Sequence, residues 1–249
     1  MVCTPPSVSL STPVEIEKAE EIRAYIATLS SAQIQKAMQI SATLAFDVEK
    51  LFSQWSAVEN LSAAVEVFRG DIYSGLRARP FSTAEKDFAQ EHLLILSGLY
   101  GVLKPYDGIS PYRLEVGYRF PDEPFRNLYQ FWGDSLSNQL HKTGDIFNVS
   151  SVEYEKLIIP YIDGQRIITP KFLTMVKPGQ PAKFVVVHAK IARGAYARWL
   201  IQKGDGAAAE LESFNDLGYH YQPSLSSPRN PVYICENFQG IGLSQRLIA

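Results

Sequence analysis

The sequence predicts a mixed α/β fold. Stretches with apolar residues at three- and four-residue steps read as amphipathic helices, short runs rich in valine, isoleucine and aromatics read as strands, and the two kinds interleave along the chain. Composition agrees with a packed domain. Of 249 residues, 46% are hydrophobic and 20% charged, with 13 Phe, 13 Tyr and 3 Trp. That is enough apolar surface for a sizeable core and excludes disorder as the main state. A single compact domain over residues 1–249 is expected, with 1–13 as an irregular Ser/Thr/Pro-rich segment.

Val14 to Ala27 is the first expected helix. Ile16, Ala19, Ile22 and Ile26 form its apolar stripe, and glutamates crowd its early turns, where the helix dipole favours them. Ser30 with Gln33 has the spacing of a capping box, and Ile34, Ala37 and Met38 follow it on one face. Ser82 with Glu85 predicts a helix through Phe88, Ala89 and His92. Ser150 with Glu153 predicts a short one after the strand-like Asp145 to Val149. Helix is also expected over Leu128 to Leu140 and Lys190 to Gln202. Strands are expected at Arg166 to Thr169, Phe172 to Val176 and Lys183 to Ala189, the last for its three valines. Tyr219 to Gln222 and Val232 to Cys235 are weaker strand candidates. Gln222 to Pro231 reads as an exposed loop.

Charge is nearly balanced, with 24 basic and 26 acidic residues, so a wholly basic nucleic-acid coat is excluded. It is nevertheless segregated. From Gly164 to Gly204 there are eight basic residues (Arg166, Lys171, Lys177, Lys183, Lys190, Arg193, Arg198, Lys203) and no acidic one. A merely soluble surface mixes signs, so this run points to an anionic partner. Lys190, Arg193 and Arg198 fall within an arc of roughly 140° at about 100° per residue. Their helix is expected to start just after a strand end at His188–Ala189, where free N–H groups and the dipole favour anions. Gly194 would allow a phosphate to approach.

In Leu96 to Pro105, Gly98 and Gly101 bracket a tight turn between apolar segments, with Lys104 following. A helix–turn–helix hairpin there would offer backbone N–H groups to a phosphate; a helix-capping glycine before a proline stop is the alternative. Arg113 and Glu115 would point the same way on a strand, as an ion pair or part of an anion pocket. Tyr129 and Trp132 share a helical face, with Asp134 nearby as a buried hydrogen-bonding acid.

Four histidines lie far apart without metal-ligand spacing, and neither a metal nor a cofactor is expected. The candidates for proton transfer are His188, Asp134 and Glu153. Cations around His188 would keep it neutral, and so fit to act as a base. Cys3 and Cys235 make no disulfide framework, and Cys235 reads as a small buried hydrophobe. Without a targeting segment or an apolar run long enough for a bilayer, a cytoplasmic location and no membrane partner are expected.

Several strings together resemble the YaaA peroxide-stress family. They are Phe68-Arg-Gly-Asp-Ile-Tyr-Ser-Gly-Leu76, Phe88-Ala-Gln-Glu-His-Leu93, Leu96 to Pro105, Pro111-Tyr-Arg-Leu-Glu115, Leu128-Tyr-Gln-Phe-Trp-Gly-Asp134, Ser150-Ser-Val-Glu-Tyr154, Ala189-Lys-Ile-Ala-Arg-Gly194 with Arg198, and Phe214-Asn-Asp-Leu-Gly-Tyr219. The resemblance implies a compact α/β fold with a helix-hairpin-helix-like element and a basic cleft, and DNA binding during hydrogen peroxide stress. On this chain the hairpin would be Ser97 to Lys104, and the cleft would take Arg69, Lys104, Arg113, Lys190, Arg193 and Arg198. Three features depart from the family pattern. No Ser-Pro-Ala-Lys-type motif precedes Lys18, Ile191 stands where a second basic residue is common, and Tyr233 to Phe238 lacks a closing basic residue. Each removes a cation, and affinity for nucleic acid scales with phosphates neutralised. The alternative expectation is therefore an enzyme acting on a small anionic metabolite in a specialised biosynthetic pathway. Tyr100 and Tyr112 would be available to stack on bases.

Overall fold

A computed structural model describes residues 1, 6, 8–177 and 179–240; Cys3 lies outside them. Its helices are α1 (Ile16–Ala27), α2 (Ser31–Met38), α3 (Ala42–Ser53), α4 (Ala64–Val67), α5 (Asp71–Leu76), α6 (Thr83–His92), α7 (Leu128–Trp132), α8 (Val152–Glu155) and α9 (Val186–Lys203). Its strands are β1 (Ser62–Ala63), β2 (Ile95–Ser97), β3 (Gly101–Leu103), β4 (Gly108–Ile109), β5 (Ile146–Phe147), β6 (Ile167–Ile168), β7 (Lys171–Thr174), β8 (Tyr219–Tyr221) and β9 (Val232–Cys235). Helix and strand are mixed as expected. The chain divides into two compact units, each drawn from three stretches: 1–68, 93–141 and 151–162 in the first, 69–92, 142–150 and 163–249 in the second.

In the first unit, α1 buries Ala19, Ile22 and Ile26 as its stripe requires. Each isoleucine so placed contributes roughly 1.5–3 kcal/mol. Ser30 and Gln33 form the complete capping box, and α2 buries Ile34 and Met38. Two small antiparallel pairs follow, β1 with β4 and β2 with β3. Asp107 fastens this region from inside. Its carboxylate accepts from the Ser11 hydroxyl at 2.7 Å and from the Lys104 N–H at 2.8 Å. Burial pushes its pKa up against those bonds.

The hairpin expectation is corrected here. Gly98–Tyr100 turns between β2 and β3, two strands and not two helices, and it is not a helix cap either. The glycines are explained by packing. A Cβ on Gly98 would sit 2.7 Å from the Leu114 carbonyl, and one on Gly101 (φ +68°) would lie 2.6 Å from Leu136. Trp132 also closes on this turn, its indole N–H donating to the Gly98 carbonyl at 3.1 Å. The helix expected over Leu128 to Leu140 breaks after α7. Gly133 turns to φ +53° and a 3₁₀ segment (Ser135–Gln139) follows.

In the second unit, β7, β9 and β8 form one sheet, with β9 central, parallel to β7 and antiparallel to β8. β5 pairs with β6 in parallel. The core is aromatic: Phe172, Tyr196, Phe214, Tyr219 and Tyr233 meet with ring centroids 5.0–6.0 Å apart, the offset and edge-on range that favours such pairs.

Through this core runs α9, longer than expected and buried on most of its circumference. Ala189, Ile191, Ala192, Gly194, Ala195, Tyr196, Ala197 and Ile201 are all buried. The strand expected at Lys183 to Ala189 is absent; only Lys183 pairs, exchanging both backbone hydrogen bonds with Thr174 at 2.9 and 3.0 Å. Val185 is the extended N-cap, and Val186 and Val187 form the exposed first turn. Tertiary placement of Ala189 and Ala192 in the core overrides the local β preference of the valines. Gly194 does not face a ligand. A Cβ there would overlap the Ile72 carbonyl and lie 2.7 Å from the Leu76 nitrogen; a Cβ on Gly75 would overlap the Ile191 carbonyl. The two glycines let the backbones of α5 and α9 touch. Ile191 is 2% exposed in this contact.

Gly194→Ala is expected to destabilise the protein by about 3 kcal/mol or more, since backbone and not a flexible side chain must yield. Gly206→Ala, where no atom lies within 4 Å, should stay within about 0.5 kcal/mol. Urea unfolding of the two variants checks this; equal stability would contradict the close crossing.

Candidate functional site

The basic corner of the second unit is built from three adjacent pieces. The Thr174–Lys183 pairing closes a loop that carries Lys177 and delivers Lys183 two residues ahead of the α9 N-cap. No side chain caps that terminus, so its first N–H groups point outward with the positive end of the helix dipole. Lys190 projects one turn later. Lys171, Lys177, Lys183 and Lys190 are exposed and make no ion pair among the described residues. Because α9 starts at Val186 and not at Lys190, the anion-favouring terminus lies nearer Lys183 than the sequence suggested.

The other cations differ. Arg193 is half-buried and partnered, and Arg69 is exposed, partnered, and directly before Gly70 (φ +140°) and α5. Arg198 is half-buried and ion-paired with Asp216, and Lys203 reaches Glu210 at 2.5 Å. Arg166 donates to the Thr143 and Gly144 carbonyls. Arg198 and Arg166 therefore hold backbone and loops of the unit together.

His188 stands in the first turn of α9. Its Nδ1 lies 3.2 Å from Thr174 Oγ1, which in turn lies 3.2 Å from the Tyr219 hydroxyl. Its ring stacks on Phe238 at 3.8 Å. Its pKa is lowered, in the expected direction, but desolvation is the cause and not neighbouring cations. Burial raises Tyr219 to about 12. Cys235 is fully buried, its thiol donating to the Leu217 carbonyl at 3.6 Å with its pKa raised by burial.

In the first unit, motif strings far apart in sequence meet. Tyr112, Leu114 and Val116 are buried while Arg113 and Glu115 alternate outward. Arg113 hydrogen-bonds Tyr118. Glu115 accepts from the Tyr154 hydroxyl, and that phenol is held far above its ordinary pKa, by burial first and by Glu115 second. Glu153 Oε1 accepts from the Gly117 N–H at 3.1 Å, and its carbonyl accepts from the Tyr129 hydroxyl at 3.1 Å. Ser150 does not cap α8; Ser151 is the N-cap, and Ser150 donates to Asn148 instead. Asp134 is exposed and not a buried acid. Lys104 is exposed beside Asp107.

Tyr100 and Tyr112, expected to stack on bases, are 1% and 7% exposed. Tyr100 accepts from the Trp55 indole at 2.9 Å and the Ser110 N–H at 3.1 Å, and Tyr112 bonds Ser97 at 2.6 Å. They are core groups. Tyr118, Arg119, Tyr154 and Thr174 were not singled out from sequence. Tyr154 closed one of the family-like strings; the others had no periodic or motif signal. Among the described residues no group of three or more His, Cys, Asp or Glu is placed to hold a metal ion, and no helix is long and apolar enough to cross a membrane.

A depressed pKa keeps His188 neutral in the fold, so its contribution to stability is present above the unfolded value near 6.5 and is lost as pH falls through the folded value. Proton NMR titration is expected to place the His188 midpoint below 6.5. A midpoint at or above that of free histidine would contradict the packing against Phe238 and Thr174.

Residues 2–225 match the family described as peroxide stress protein YaaA. A UPF0246 protein of Salinispora tropica is 48% identical over 240 residues, covering 96% of this chain and 91% of its own. UPF0246 proteins of Ruegeria sp. and Cellvibrio japonicus are each 37% identical, covering 90% and 94% of this chain and 91% and 93% of their own. With a match of this extent, the chain belongs to the YaaA (UPF0246) family.

Proposed function

We propose that the protein serves in peroxide stress by binding nucleic-acid phosphates. The observation that carries this reading is the basic corner of the second unit, where an uncapped α9 terminus is flanked by Lys183 and Lys190 with no acidic residue from 164 to 204. Helix termini and lysines neutralise backbone phosphates without reading sequence. Lys177, in the loop closed by the Thr174–Lys183 pairing, extends the corner. Arg69 and Arg193 are the further cations of this unit offered to the backbone; Lys104 and Arg113 are candidate phosphate contacts of the first unit taken by itself. Arg198 is not among them, since Asp216 holds it. With Tyr100 and Tyr112 in the core, the contact is electrostatic and not a stack of bases on those rings.

Binding of a labelled oligonucleotide is expected to weaken steeply with salt, with a slope of about −0.9 per phosphate met on a duplex. Lys183→Gln and Lys190→Gln should each flatten that slope by about 0.9 and weaken all sequences alike. Absence of binding at low salt, or binding indifferent to salt, would end this reading.

A second reading, an enzyme acting on a small anionic metabolite, is favoured by one arrangement in the first unit. Arg113, bonded to Tyr118, stands two residues from Glu115, whose partner is the Tyr154 phenol. A guanidinium beside a carboxylate–phenol pair is an anion clamp beside a proton-transfer pair. Thermal-shift screening of phosphorylated and carboxylated metabolites against short DNA separates the two, because the true ligand raises the melting temperature by mass action.

A further inference from the structure

A hollow of about 270 Å³ on the first unit is lined by Ala37, Met38 and Gln39 on one side and by Gly117, Tyr118, Arg119 and Glu153 on the other. We propose that this hollow binds a small α-amino carboxylate with an apolar side chain. Opposite charges share its rim without pairing: neither Arg119 nor Glu153 makes an ion pair among the described residues. Each is held in place by neutral groups. Arg119 lies over the Tyr129 ring at 5.8 Å and reaches the Tyr118 carbonyl and Asn127 Oδ1 only at 3.4 Å. Those long bonds orient the guanidinium and leave its remaining donors for an ionised acceptor. Glu153 is set by the Gly117 N–H at Oε1, and by Tyr129 at its backbone carbonyl. A side chain at residue 117 would overlap that carboxylate, so glycine there is what lets Glu153 face the hollow.

Both groups are exposed, so a ligand with one charge would engage one of them and leave the other to water. A zwitterion answers both: its carboxylate takes the Arg119 fork and its ammonium takes Glu153 Oε2. Ala37, half-buried near the end of α2, and the half-buried Tyr118 then supply the apolar contact for the side chain. The hollow belongs to the first unit and the basic corner to the second, and the occupants proposed for them differ.

Isothermal titration calorimetry with L-leucine and L-methionine tests the assignment. Either amino acid is expected to bind, with N-acetyl and carboxamide derivatives at least tenfold weaker because each lacks one charge. Arg119→Gln and Glu153→Gln should each weaken binding at least tenfold, and Arg119→Lys should recover part of the loss. Both variants should leave the salt dependence of oligonucleotide binding unchanged, so the two functions fail independently. No binding of either amino acid would overturn the proposal. So would equal binding of the N-acetyl form, or affinity unchanged in Arg119→Gln.

Discussion

The backbone contact between α5 and α9 constrains the rest of the second unit. Gly75 faces the Ile191 carbonyl and Gly194 faces that of Ile72, each so closely that a single methyl group on either side would overlap a main-chain oxygen. With one side of α9 consumed by this crossing and another by the aromatic core of Phe172, Tyr196, Phe214 and Tyr233, little of the helix remains for solvent. What remains is its last residues, Gln202 and Lys203, and its uncapped start, with Lys183 before it and Lys190 one turn in. Close packing along the rest of α9 thus leaves Lys190 among its exposed residues.

The cations of residues 164–204 divide by that same logic. Arg166 and Arg198 have planar forks suited to carbonyls and carboxylates, and they tie down loops, Arg198 through Asp216. Lys171, Lys177, Lys183 and Lys190 are hydrated point charges left at the surface. Arg166 and Arg198 thus serve the fold, as Lys203 does through Glu210, while Lys171, Lys177, Lys183 and Lys190 stay at the surface, which is why an acid-free stretch yields fewer outward charges than its eight cations suggest. In the first unit the charged groups are organised differently. There the Glu115 carboxylate accepts from the Tyr154 phenol, the Glu153 carboxylate from the Gly117 N–H, and the Glu153 backbone carbonyl from the Tyr129 phenol, beside arginines that face outward.

Local signals were legible wherever the chemistry is local. The capping boxes at Ser30 and Ser82 form as read, and β9 occupies Val232 to Cys235. Errors arose where distant contacts decide. The valines at 185–187 look like a strand but open α9, because Ala189 and Ala192 must reach the core. Gly98, Gly101 and Gly194 look like ligand-approach positions, yet each accommodates another part of the chain: a backbone at Gly98 and Gly194, side chains at Gly101. Ser150 had the spacing of a cap, yet Asn148 takes its hydroxyl and Ser151 stands at the helix start. The charge run itself was visible, but which of its members are paired was not, since Asp216 and Glu210 come from beyond it. The Tyr154–Glu115 pair joins strings 39 residues apart, a distance that one-dimensional spacing does not register.

Side-chain NMR of lysine and arginine during addition of a short DNA duplex would probe the division of labour among these charges most directly. Lysine resonances of 183 and 190 should move and broaden as duplex is added, while the Arg198 guanidinium, locked on Asp216, stays in place. Perturbation centred on Arg198 with Lys183 and Lys190 silent, or a spectrum unchanged at saturating duplex, would contradict the assignment of the basic corner.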